Sequence, residues 1–148
     1  MSHIVDKVKD VFTRDHDGLK DVEDAPYFLP ELEWVKVVKV YDGDSFHVIG
    51  KPSNATKIYK FVVRLRDIDA PELSDSQQHN RAIEVRDELS KLILNNNVKL
   101  SNIGRDKYGR ILCNAMIYDF DISEWLLSKG CGYIYHGGKK KELEEPKI

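Results

Sequence analysis

Three acids, a proline and two arginines crowd the twelve residues VVRLRDIDAPEL, 62–73. Asp69 closes what otherwise reads as a strand, a position where acids are depleted. Pro71 confines Ala70 to extended backbone and so fixes the direction of the Ala70 carbonyl. A second anomaly sits in YDGDSF, residues 41–46. Asp42-Gly43 by itself reads as a hairpin turn, but such a turn needs no further acid, and Asp44 opens the next strand. Asp44, Asp69 and the Ala70 carbonyl together offer three hard oxygen ligands. They suit Ca²⁺ or Mg²⁺, with water completing the shell. A divalent cation also removes the repulsion between two close carboxylates. Glu72 follows the proline and stands beside this site without having to be a ligand, where a carboxylate can hold and deprotonate a water. Arg64, five residues before Asp69, and Arg110, which closes DKYGR, supply guanidinium forks that match phosphate oxygens. Taken singly, each residue also reads as a turn cap, a solvated acid or surface charge. The combination is what points to a metal and a phosphate.

The elements that must position these residues follow from the apolar pattern. WVKVVKVY from Trp34 is rich in β-branched residues and ends at Asp42-Gly43. SFHVIG resumes as a strand and KPSNAT is a loop. KIYKFVVRLRDI alternates, with Phe61, Val63 and Leu65 on one face and Lys60, Arg64 and Arg66 on the other. Residues 76–95 change to a helical period, with Ala82, Val85, Leu89 and Leu92 as its apolar stripe. NVKLSNI is a strand, GRDKYGR a turn and ILCNAMIY a further strand. Ile122, Trp125 and Leu126 then start a second helix, with Asp121 and Glu124 as a capping box and Gly130 as a stop. The order predicts an α+β chain that is mainly β. It forms a five-stranded barrel of the OB-fold kind, with one helix after the third strand and another after the fifth.

The chain divides into an N-terminal extension (1–33), a barrel domain (34–136) and a polar tail (137–148). Residues 3–13 have an amphipathic helical spacing, and DAPYFLPELEW reads as an extended connector on the domain surface. The 148 residues carry 41% apolar and 32% charged side chains, which places the chain among globular proteins. Net charge is −2, yet residues 1–32 hold four Lys/Arg against eight Asp/Glu while the remainder is net positive. Attraction for a polyanion must therefore come from a local patch. No signal peptide or membrane span is recognised, so the expectation is an intracellular, cytoplasmic protein that avoids membranes and works as a monomer. Cys113 and Cys131 have no metal or redox spacing, and the five histidines show no ligand pattern. No GxGxxG, Walker loop or HExxH occurs. The Asn54 sequon, without a secretory route, is chance.

DGDSF, RLRDIDAPE and DKYGR, in that order and with a helix between the last two, resemble the staphylococcal nuclease (thermonuclease) family over about residues 34–135. The resemblance implies a Ca²⁺-dependent nuclease, with Mg²⁺ second, acting on DNA or RNA and leaving 3′-phosphate ends. Carried over residue by residue, it implies calcium carboxylates at Asp44 and Asp69, and a carbonyl ligand at Ala70 where members often have Thr. Glu72 takes the place of the residue that activates or positions water. Arg64 and Arg110 take those that grip the scissile phosphate. Lys107 and Tyr108 match positions near the nucleotide's terminal phosphate, and Tyr133 and Tyr135 a nucleotide-stacking segment. The loop LSDSQQHN is not basic as in some members, and the long final helix is missing. The alternative is a weak or inactive nuclease-like module that binds nucleic acid or protein. Three uncompensated acids beside a phosphate site repel a nucleic-acid backbone, and their presence favours the enzyme.

Overall fold

The computed structural model describes residues 25–136. The helix expected over 3–13 and the tail 137–148 lie outside them. Eight strands and two helices follow in order: β1 (Trp34–Val40), β2 (Ser45–Gly50), β3 (Tyr59–Leu65), β4 (Ile68–Asp69), α1 (His79–Ile93), β5 (Asn97–Arg105), β6 (Ile111–Ile117), β7 (Phe120–Asp121), α2 (Ile122–Ser128) and β8 (Tyr133–Ile134). β1 pairs antiparallel with β2 and β5, β2 with β3, and β5 with β6. A parallel pairing of β3 with β6, Val63 opposite Ile111 and Leu65 opposite Cys113, closes the five long strands into a barrel. This is the OB-like α+β architecture expected from the element order. The two-residue strands β4, β7 and β8 are additions that are too short to announce themselves by periodicity.

Alternation supplies the core. Val63 and Leu65 of β3, Phe46 and Val48 of β2, and Val98 and Leu100 of β5 all point inward and are buried. In β1 the inward residues are Val35, Val37 and then Val40, a change of parity. A bulge between Val37 and Lys39 adds the extra residue that makes this change possible. α1 covers the barrel with Ala82, Val85, Leu89 and Ile93. The expected stripe had Leu92 in the last place, but Leu92 is only partly buried. The helix also begins at His79 rather than 76, because residues 73–78 are taken up by turns. α2 starts as expected: the Asp121 carboxylate accepts from the Glu124 N–H at 3.0 Å. Gly130, with φ +65°, stops it in the left-handed region that suits glycine.

The connector before β1 lies against the barrel. The Asn54 side chain accepts from Glu31 N–H and donates to the Leu29 carbonyl, both at 3.0 Å. Ser53 Oγ donates to Glu31 Oε2 at 2.6 Å. The asparagine of the apparent sequon thus clamps the chain leading into the domain. Among the described residues no helix is long and apolar enough to cross a membrane.

Candidate active site

The turn from β1 to β2 builds the first wall. Asp42 Oδ1 accepts from the N–H groups of Asp44 (3.1 Å) and Ser45 (2.9 Å) and from Ser45 Oγ (2.8 Å). A carboxylate that captures the backbone just ahead of it is a strong turn former. Asp42 is buried, and its hold on the backbone aims Asp44 inward. Gly43 is needed for close approach rather than for its φ. A Cβ there would lie 2.7 Å from Ala70 Cβ and would overlap Val85 of α1.

β3 and β4 build the floor. Asp44 Oδ2 accepts from the Ala70 N–H at 2.9 Å and lies 3.5 Å from Arg64 Nη2. The same nitrogen is 3.4 Å from Asp69 Oδ1. Two carboxylates distant in sequence therefore converge on one guanidinium nitrogen. Arg64 Nη1 donates to the carbonyls of Leu65 and Ile68 at 2.7 Å each, so the guanidinium also holds the β3–β4 turn. Asp69 is almost wholly buried, and its Oδ2 accepts from Tyr133 Oη at 3.1 Å. Burial above all, and then the charge of Asp42, push the Asp44 pKa up to about 8, against the opposing pull of Arg64.

The opposite wall is the turn between β5 and β6. Asp106 Oδ1 accepts from the N–H groups of Tyr108 and Arg110 at 2.9 Å, and its Oδ2 accepts from Arg110 Nε at 2.6 Å. Burial raises the Asp106 pKa, but these donors and the Arg110 charge outweigh it and hold the carboxyl below its ordinary value. The Arg110 guanidinium and the Lys107 ammonium flank the Tyr108 ring at 5.5 and 5.1 Å.

A cleft of about 970 Å³ joins these walls. Asp44, Arg64, Glu72, Lys107, Tyr108, Arg110 and Tyr135 line it. Of the residues singled out in the sequence, Asp69, Ala70 and Tyr133 do not reach its surface. Asp69 and Ala70 bond to groups in its floor, and the Tyr133 hydroxyl is committed to Asp69. Besides Asp67, two acids not singled out also line the cleft, Asp42 and Asp106. Their signal was the short spacing to the donors they capture: Asp42 to Ser45, and Asp106 to Tyr108 and Arg110. Asp67 and His136 lie on the rim, Nδ1 to Oδ1 3.3 Å, with Asp67 in the left-handed region at φ +62°. Residues so far apart in the chain give no local pattern.

Comparison with known proteins places the chain in a family. The family model for staphylococcal nuclease homologues matches residues 62–148. That span takes in every site residue from Arg64 onward, while Asp44 comes in through the fold. An uncharacterized endonuclease of Haemophilus influenzae is 31% identical over 107 residues, covering 71% of this chain and 54% of that protein. The chain thus spans about half the length of that curated relative. With the family match over more than half its length, the chain belongs to the family of staphylococcal nuclease homologues.

Proposed function

We propose that this protein is a metal-dependent nuclease that hydrolyses phosphodiester bonds of DNA or RNA and leaves 3′-phosphate ends. One observation carries the reading. Asp44 and Asp69 meet at Arg64 in the floor of a cleft whose walls hold Glu72 and Arg110. The family membership and the endonuclease name of the Haemophilus influenzae relative support it.

The donor set fits a hard divalent cation. Two carboxylates converge, and a divalent cation between them would favour their charged forms against the burial, and then the Asp42 charge, that raise the Asp44 pKa. Among the described residues no three His, Cys, Asp or Glu side chains gather about one point. Asp44 and Asp69 would hold Ca²⁺ with the Ala70 carbonyl and water as the other ligands. Bound there, the ion supplies Lewis-acid stabilisation of phosphoryl charge. Glu72 accepts the proton of the attacking water. The water oxygen bonds to phosphorus as the P–O5′ bond breaks, and the departing oxygen takes up a proton from solvent. Arg110 faces the phosphate across the cleft and offsets the growing negative charge with the Nη donors that Asp106 leaves uncommitted. Arg64 does the same from the floor while fixing both aspartates. Lys107 and Tyr108 lie at the mouth, where a terminal phosphate and a sugar or base fit. Tyr135 offers a ring to a base.

The test is digestion of single-stranded DNA, duplex DNA and RNA with Ca²⁺, Mg²⁺ or chelator. Turnover is expected only with the cation, and Glu72→Gln is expected to remove it. Products should resist extension by a polymerase until a phosphatase removes the 3′-phosphate. Cleavage in chelator, or ends that extend at once, defeats the mechanism. Binding with no turnover under any condition returns the protein to the class of nucleic-acid-binding modules.

A further inference from the structure

The outer face of β1–β2–β3 carries a row of cations that the catalytic cleft does not use. Register places them side by side. Lys36 lies opposite Ile49 and Ile49 opposite Lys60, while Lys39 lies opposite His47 and His47 opposite Val62. The next pair along is Ser45 with Arg64. Lys60, Val62 and Arg64 alternate onto the same side of β3, so this face runs directly into the cleft, which Val62 and Arg64 both line. Lys36, Lys39 and Lys60 are exposed. Between Trp34 and Leu65 the only acids are Asp42 and Asp44, and both are buried in the turn. Two lysines outside this face are paired, Lys91 with Glu88 and Lys99 with Glu33. Lys36, Lys39 and Lys60 have no ion pair among the described residues. Burial, then the charges of Lys39 and Lys60, lower the His47 pKa, so both ammonium groups bear on that ring. Like charges gathered without acids destabilise a free surface and suit a polyanion.

The apolar surface among these cations narrows the choice of polyanion. Ile49 is half-buried, while Val62 and Tyr41 are 37% and 51% exposed. Bases of an unpaired strand can lie on such a bed, whereas a duplex offers it only phosphates and sugars. We infer that the Lys36–Lys39–Lys60 face is a flanking subsite that holds the phosphate backbone of single-stranded nucleic acid beyond the scissile bond. This inference rests on the proposed nuclease reading for its direction from the cleft. The four residues from Arg64 to Lys60 span about 13 Å of strand. A dinucleotide with its phosphate at Arg64 is too short to reach across.

The test compares the full chain with the variant Lys36→Gln/Lys39→Gln/Lys60→Gln, and with Lys91→Gln as a control surface lysine. Hydrolysis of a 30-nucleotide single strand and of a dinucleotide is measured with Ca²⁺. The triple variant should raise KM for the 30-mer on the order of tenfold and leave the dinucleotide within twofold, while Lys91→Gln moves neither. Fluorescence anisotropy with a labelled 30-mer, on Glu72→Gln protein in chelator, reads binding without cleavage. There the slope of log affinity against log salt should flatten by about 2 when the three charges are removed. An unchanged 30-mer KM and salt slope, or an equal loss on the dinucleotide, overturns the inference. So does a duplex 30-mer that binds as tightly with the same dependence on the lysines. Absent or Glu72-independent turnover counts against the nuclease reading alone, because the anisotropy comparison stands without cleavage.

Discussion

Burial of Asp44 beside Asp42 governs how the site responds to pH. The Asp44 pKa is raised in the folded chain from 3.8 to about 8, so the folded state holds a proton that the unfolded state releases. The sign follows: this group's contribution is full below about pH 4 and is lost as pH rises toward 8. Melting in chelator across that window should show stability falling through this group as pH rises. Ca²⁺ should stabilise the protein more at pH 8 than at pH 5, because at pH 5 it must displace the proton. Equal stabilisation at both values would mean the ion binds elsewhere. Glu72→Gln keeps size and hydrogen bonding but removes the base, so kcat should fall on the order of 10²- to 10⁴-fold with KM nearly constant. Tyr133→Phe removes the hydroxyl that holds Asp69 Oδ2 at 3.1 Å. Calcium affinity, read by calorimetry, should weaken on the order of tenfold while the fold is retained. The family resemblance alone implies a nucleotide-stacking place for Tyr133. Its contact with a residue 64 positions earlier is invisible until β8 pairs with β4, Tyr133 opposite Asp69.

Turns and bulges set the site at the scale of elements. The β1–β2 turn must pass so close to α1 and β4 that Gly43 has no room for a side chain. Gly43→Ala should cost about 1–3 kcal/mol in denaturant unfolding, since Val85 and the Ala70 Cβ are both packed and cannot yield cheaply. An unchanged midpoint would show that the turn can move away from the helix. Asn54→Ala should cost about 1 kcal/mol through its two hydrogen bonds to the connector. It should also raise proteolysis within 25–33 and leave kcat untouched. The alternation of β3 and the cap of α2 were legible because apolar period and capping chemistry are local. The burial of Ile93 rather than Leu92 at the end of the α1 stripe was not. Both residues fit a helical period, and only the barrel surface beneath decides which one is covered.

Across the whole molecule, charge is sorted rather than abundant. A chain with net charge −2 leaves the outer face of β1–β2–β3 without an exposed acid from those strands. The sequence by itself determined the residue types: a guanidinium five places before a carboxylate, an extended Ala-Pro-Glu, and a separate Asp-Lys-Tyr-Gly-Arg turn. Those spacings fix short-range geometry, because a strand and a proline leave few backbone choices. Only the tertiary structure decided that Asp44 and Asp69 share one nitrogen of Arg64, that Arg110 lines the same cleft as Asp44 and Arg64, and that Lys36, Lys39 and Lys60 lie side by side. The reason is closure. The parallel pairing of β3 with β6 and the one-residue bulge in β1 set the register of the barrel. Register is a relation between distant strands, and a slip of one residue would turn every one of these side chains to the other face.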